Sequence, residues 1–330
     1  MTKTYDIVGV GNALVDVLSH VQDDFLAANG VEKGIMTLID TDRAAALYGV
    51  TGPAKQISGG SAANTIAGAA MLGAKTAYVG KVKDDQLGAI FAHDIRATGV
   101  AFETPLSDRS EDHETGRCIV LVSPDGERSM STYLGVSEQL GPDDIDEAMM
   151  ADAAWLYLEG YRFDGAESVA AFDKAITACK GAGGKVSITL SDPFCVGRHR
   201  DAFHKLIADH TDLLFANEHE VMALYETEDF DEALTKVAKD VDIAAITVGA
   251  RGAYVVTGSD TIHVPTAATK VVDATGAGDL FAGGFLAGLT AGKDLATCAS
   301  MGCVAAGEII GHIGARPEAD LQALMSERGL

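Results

Sequence analysis

Nowhere in the 330 residues do about 18 apolar side chains follow one another, so no transmembrane helix is expected. The opening MTKTYDIVGV has one early lysine but too short an apolar run for a secretory signal, and the chain is expected to be cytoplasmic. Positive charge is scarce: Lys plus Arg number 25 against 48 for Asp plus Glu, a formal net charge of −23 that repels nucleic acid and anionic membrane. Any phosphate must therefore be bound by a local device. The five cysteines (Cys118, Cys179, Cys195, Cys298, Cys303) are odd in number and form no CxxC pair, which argues against a disulfide framework and a thiolate zinc site. There is no GxxxxGK[ST], which excludes a P-loop. His113, His199 and His219 are scattered without HExxH or another ligand spacing. Repeats, low-complexity tracts and linkers are also missing.

What is there is a rhythm. YDIVGVG (5–11), TAYVG, WLYLEG, KVSITL, DLLFAN and IAAITVG read as buried strands. Between them, 170–181 and 197–210 place apolar residues three and four apart, as helices do. The alternation predicts a parallel sheet covered by helices on both faces. Two Ala/Gly-rich helical stretches follow, 280–289 and 295–310. Residues 12–57 and about 100–136 break the rhythm with short strand-like pieces, and in RCIVLVSPDGERSMSTYLG two alternating runs flank a turn signal. These pieces predict a small attached sheet, either a moving lid or a fixed extension. Asp84 and Asp85 of KVKDDQLG read as the start of a helix.

DATGAGDLFAGGF (273–285) sets two glycines and an acid before an apolar run. A helix starting near Gly276 would turn unpaired N–H groups and its positive dipole end toward anything approaching Gly276, Ala277 and Gly278. Beside a bound phosphate Asp279 would be repelled, so it should face a neutral group, and a substrate hydroxyl suits it. An acid accepting a hydroxyl proton while N–H groups hold the transferring phosphoryl group describes a kinase. Alone, GAGD would be read as a tightly packed helix start capped by its aspartate, since short Gly/Asp strings are common. In VGVGNAL, Leu14 stands where the third small residue of a dinucleotide fingerprint belongs, which places dehydrogenase chemistry behind the kinase reading.

The 273–285 segment resembles the C-terminal signature of the PfkB, or ribokinase-like, kinase family. SGGSAANTIAGAAMLGAKTAYVGKVKDDQLG (58–88) resembles its N-terminal one. The resemblance implies one ribokinase-like α/β domain over residues 1–330: a central, mostly parallel sheet with helices on both faces, and a small β-sheet lid from 12–57 and 100–136. It implies that Asp279 is the catalytic base and that Gly276, Ala277 and Gly278 form the anion hole. ANEHE is similar to the NxxE motif, which puts Asn217 and Glu220 near Mg²⁺ and the ATP phosphates, with Glu220 reaching the metal through water. TVGARGAY resembles the turn that covers ATP, so Thr247, Gly249 and Gly252 are cofactor-side positions; Arg251 either touches phosphate or is a solvated turn residue. A monovalent cation (K⁺) near Asp273 and Thr275 occurs in part of the family.

By the same resemblance the sugar lies against Asn12, Asp16, Gly59, Gly60 and Asn64, with Asp16 and Asn64 suited to vicinal hydroxyls. GNALVD, LSDPF and GHIGARP are similar to the adenosine kinase branch, which implies a purine slot built from Phe194 and Tyr161 with Leu14, Cys118, Met130 and Leu134, and a substrate-side Arg128. Whether Tyr161 or Arg162 faces that slot is open. The expected reaction is transfer from ATP to the primary hydroxyl of a nucleoside, most simply adenosine. A sugar kinase acting on ribose or fructose is the alternative, and a catalytically silent nucleoside binder stands behind it. The expected partner is a small nucleoside or sugar, with no nucleic acid or membrane, and the assembly is a monomer or homodimer.

Overall fold

The computed structural model describes residues 3–110 and 112–330. YDIVGV forms β1 (Tyr5–Val10), a strand apolar on both faces: Ile7 enters one core, Val8 and Val10 the other. The same two-sided burial recurs in β5 (Thr76–Val79), β8 (Ala153–Glu159), β9 (Lys185–Thr189), β10 (Leu213–Asn217) and β11 (Ile243–Thr247). With β12 (Ala253–Thr257) and β13 (Asp260–Val264) they form an eight-stranded sheet in the order β13-β12-β11-β10-β9-β8-β1-β5. β5, β1, β8, β9, β10 and β11 run parallel, and the β11–β12 and β12–β13 pairings are antiparallel, so the sheet is mixed but mostly parallel.

Helices close both faces, as parallel strands require. One face carries α3 (Ser61–Met71) and α4 (Gln86–Ala97), reached after α1 (Asp23–Ala28) and α2 (Thr41–Val50) in the chain. The opposite face carries α5 (Glu147–Ala151), α6 (Ser168–Gly181), α7 (Pro193–His210), α8 (Glu218–Leu224) and α9 (Phe230–Asp240). α10 (Ala277–Thr290), α11 (Leu295–Ile309) and α12 (Leu321–Glu327) return to the first face. There α10 lies against α3 closely enough that a Cβ at Gly283 would meet the Thr65 carbonyl at 2.6 Å, which explains the small residues in both segments. Asp85 caps α4 by accepting from Gly88 N–H at 2.8 Å, as read from KVKDDQLG.

The small pieces form a second sheet. β2 (Leu14–His20), β3 (Met36–Leu38), β4 (Lys55–Gly59), β6 (Thr115–Val122) and β7 (Arg128–Gly135) pair in the order β3-β7-β6-β2-β4. The hairpin read around SPDGE is the β6–β7 pair; the described residues from 101 to 114 add no strand to this sheet. Alternation along β6 divides its residues: Cys118, Val120 and Val122 face inward with Met130 and Ile313, while Ile119 and Leu121 pack under Leu26 and Leu47 of α1 and α2. The outer face of β6 is thus covered by α1 and α2. No described helix is long and apolar enough to cross a membrane.

Candidate active site

The strands of the large sheet deliver their carboxyl ends, where open α/β sheets place ligands, to a cleft roofed by the small sheet. Its volume is about 310 Å³. Asn12, Asp16, Gly60, Asn64, Cys118, Met130, Leu134, Tyr161, Asn217, Glu220 and Gly276–Asp279 all line it, so most of the residues singled out in the sequence meet in one place.

At the centre is the start of α10. Gly276 adopts φ 79° and ψ 0°, a left-handed conformation that favours glycine, and Ala315 sits beside it, 3.0 Å from where a Cβ would stand. No side chain caps the helix; Ala277 N–H donates to the Ala274 carbonyl at 3.2 Å. The first turn therefore turns its positive end to the cleft. Asp279, in that turn, points sideways: Oδ1 accepts from Ser61 Oγ at 2.7 Å and Oδ2 from Asn64 Nδ2 at 2.9 Å. Burial raises its pKa, and the bonds from Ser61 and Asn64 and the charge of Arg316 oppose that rise.

A second carboxylate, Glu159 at the end of β8, accepts from Asn12 Nδ2 at 2.9 Å and from Ala62 N–H in the first turn of α3 at 2.8 Å. Burial pushes its pKa up to about 7. Asn12 is fixed further by Ser137 Oγ and by Arg162, whose guanidinium also holds the carbonyls of Ser137 and Leu140. This decides the open position in GYR: Tyr161 lines the cleft, and Arg162 is buried behind it. Asp16 faces the cleft with its carboxyl against Gly59, which must lack a side chain because a Cβ there would overlap that carboxyl. Burial pushes Asp16 up to about 6 in spite of Arg316 and Arg128. Gly60, at φ 95°, has room for no Cβ beneath the Asn12 carbonyl.

Asn217 and Glu220 form a reciprocal cap at the start of α8: Glu220 N–H donates to Asn217 Oδ1 at 2.9 Å, and Glu220 accepts from Asn217 N–H and Nδ2. Burial pushes Glu220 up to about 7. Among the described residues no group of three or more His, Cys, Asp or Glu could hold a metal by itself. Thr247, Gly249 and Gly252 lie on a second cavity of about 440 Å³, which meets the cleft at Ala274, Ala277 and Gly278. Arg251 pairs with Glu218.

Three expectations are corrected by position. Phe194 does not face the cleft: Asp192 caps α7 through Cys195 N–H, Pro193 starts the helix, and Phe194 is left 77% exposed. Arg128 is not on the cleft wall but is drawn to Asp273 at 2.5 Å, a buried ion pair joining the small sheet to the loop before α10. Asp273 also accepts from Thr275 and Gly314 N–H. Gly59 supports Asp16 rather than lining the cleft. Reading the sequence missed Ser61, Glu159 and Arg316. A signal existed for Glu159, an acid that ends a buried strand at the ligand edge of the sheet.

Residues 40–321 match the family described as pfkB family carbohydrate kinase. The chain belongs to that family. As a PfkB kinase it is similar in structure to adenosine kinase from Sinorhizobium meliloti, at 46% identity, 98% coverage of this chain and 99% of that one, and a TM-score of 0.93. In sequence it is similar to the adenosine kinase of Saccharomyces cerevisiae, 30% identical over 322 residues covering 91% of this chain and 93% of the relative. It is also similar to an ATP-dependent ribose-1-phosphate kinase of Halopiger xanaduensis, 34% identical over 282 residues covering 83% and 88%. The fold is therefore ribokinase-like and the protein is a kinase.

Proposed function

We propose that this kinase transfers a phosphoryl group from ATP to the 5′-hydroxyl of a nucleoside, with adenosine as the preferred acceptor. The observation that carries the reading is the division of the cleft. Asp16, Glu159 and Glu220, each of which feels the charge of Asp279, line it with Asp279 and, among the described residues, with no Lys, Arg or His; beyond Asp16, the small sheet adds Leu14, Met36, Leu38, Cys118, Met130 and Leu134. A neutral ring of hydroxyls attached to a flat apolar base suits the two ends, since carboxylates accept from hydroxyls and apolar walls bury a base. A sugar phosphate does not suit a cleft with no cation on its wall.

In this reading Asp279 orients the 5′-hydroxyl and takes its proton, and Ser61 and Asn64 hold both of its oxygens in place. The start of α10 receives the charge of the transferring group. Asp16 and Asn64 bind the ring hydroxyls, and Tyr161 flanks the base. The nucleotide lies in the cavity of Thr247, Gly249 and Gly252. Magnesium suits the acid-rich junction at Glu220: bound to the donor phosphates it would neutralise their charge, with Glu220, already engaged by Asn217, acting through water. The reading needs no monovalent cation at Asp273, where Arg128 already supplies positive charge. The small sheet serves as a lid over the acceptor and excludes water.

ADP formation from Mg·ATP, measured side by side with adenosine, inosine, guanosine, ribose, fructose and ribose 1-phosphate, tests the proposal. Adenosine is expected to give the highest kcat/KM. A higher value for ribose 1-phosphate or a free sugar would discard the base slot and move the protein to the sugar-kinase branch.

A further inference from the structure

In the segment after α11, three successive residues each reach a different piece of the site. Gly314 N–H donates to Asp273 Oδ2 at 3.1 Å. Ala315 packs against Gly276 at the start of α10. Arg316 crosses to the other wall, where Nη1 donates to the Ala63 carbonyl at 2.8 Å and Nη2 to Ser58 Oγ at 3.2 Å. Ser58 belongs to β4 and Ala63 to the first turn of α3, so the guanidinium spans the turn that contains Gly59, Gly60 and Ser61. That turn and the helix it starts supply the two hydrogen bonds that hold Asp279. The third guanidinium donor, Nε, is buried without a hydrogen-bond partner.

We propose that Arg316 is a positioning residue for phosphoryl transfer: it pins the Ser58–Ala63 turn so that Ser61 and Asn64 hold the Asp279 carboxylate, and it supplies the positive charge between Asp16 and Asp279. The inference rests on Asp279 being the base. The charged surroundings give Arg316 this weight. The charge of Asp279 is felt by the carboxyls of Asp16, Glu159 and Glu220 on three other elements, each of which it helps to raise. Arg316 is the cation that acts on it in opposition, and the first to act on Asp16, ahead of Arg128 and against Asp273. A guanidinium fixed at two points can do both jobs, whereas an ammonium keeps the charge but loses the two-point grip.

The test is the pH dependence of kcat and kcat/KM for the wild type, Arg316→Gln, Arg316→Lys and Asp279→Asn, with adenosine and Mg·ATP and at temperatures well below each variant's Tm. Removing the cation favours the protonated carboxyl, so the acid limb of Arg316→Gln should move to higher pH, with the loss of activity greatest at low pH. Misplacing the base should also lower kcat by about 10- to 100-fold, with a smaller change in KM. Arg316→Lys should return the acid limb toward the wild-type position while kcat stays reduced. An acid limb that does not move in Arg316→Gln, with kcat within about twofold and only Tm lowered, would make Arg316 a structural residue and overturn the proposal. If Arg316→Gln does not fold, an Arg316→Lys variant with wild-type kcat overturns it equally. Near wild-type turnover in Asp279→Asn would instead show that the base itself is misassigned, whatever the Arg316 variants do.

Discussion

The two cavities that meet at the start of α10 differ most in charge. Among the described residues five carboxyls line the cleft, those of Asp16, Glu159, Asp164, Glu220 and Asp279, whereas no charged residue lines the cavity of Thr247, Gly249 and Phe281. Where these carboxyls are ionised, two like unit charges about 4 Å apart repel by roughly 4 kcal/mol at the effective dielectric of a protein surface, so the acidic lining disfavours a polyanion more than the uncharged one does. The two share Ala274, Ala277 and Gly278, which places the uncapped helix start at their junction. In the proposed reading the contrast gives each substrate a side: the phosphate-rich donor would enter by the uncharged cavity, the hydroxyl-rich acceptor would occupy the acidic one, and only the transferring group would cross.

The largest break in this arrangement comes from neutralising the acid at the junction. Asp279→Asn keeps the shape, and keeps both contacts if the Ser61 hydroxyl turns to accept from the new amide, but it cannot take a proton, and kcat should fall by about 10²- to 10⁴-fold in a steady-state assay of ADP formation. Tm should hold or rise, because a buried carboxylate that resists ionisation is removed. Turnover near wild type would mean that another group receives the proton.

A smaller effect tests the apolar end. Leu134 lines the cleft from β7, and Leu134→Gln places an amide where the base would lie. The kcat/KM for adenosine should fall by about 10- to 100-fold while that for ribose changes little, because ribose does not reach that wall. Equal losses for both acceptors would show that the small sheet does not hold a base.

Much of this contrast is legible in the sequence, and the parts that are not share a cause. The apolar runs at 5–11, 153–159 and 213–217 announce strands because burial on both faces leaves an unbroken apolar signature. GAGD is readable because a glycine in the left-handed region, a helix start and an acid are neighbours in the chain. Ser61, Glu159 and Arg316 act over separations of 218, 97 and 253 residues, and only Glu159, at the end of a buried strand, carries a local mark. Phe194 fails for the opposite reason: the stretch LSDPF matches, but its capping residues set a helix whose first turn aims that ring at solvent. Local similarity carries the element and not the direction of each side chain.

The acidic cavity should also show in stability. Burial pushes Asp16 up to about 6 and Glu159 and Glu220 up to about 7, above their ordinary carboxylate values, so between about pH 4.5 and 7 the folded chain holds protons that the unfolded chain has released. Stability therefore falls as pH rises through that window. The Tm of the protein without ligands should drop by a few degrees from pH 5 to pH 7.5 by calorimetry, and Glu159→Gln should flatten the slope. A Tm that rises over the same range would mean that these carboxyls are better solvated than their burial implies.

The smallest expected change sharpens the comparison at its outer rim. Phe194 stands 77% exposed on the first turn of α7, off the cleft wall, while Ser191, three residues earlier, lines the cleft and takes up a positive φ of 72°. If the ring stays where it is, Phe194→Ala removes no contact with the acceptor, and KM for adenosine should change by no more than about twofold, in line with substitutions at exposed positions. A rise of tenfold or more, about 1.4 kcal/mol of lost binding, would require the ring to leave solvent and cover the base when the acceptor binds. The turn at Ser191 would then be the hinge, and the apolar end of the cleft would be completed by closure.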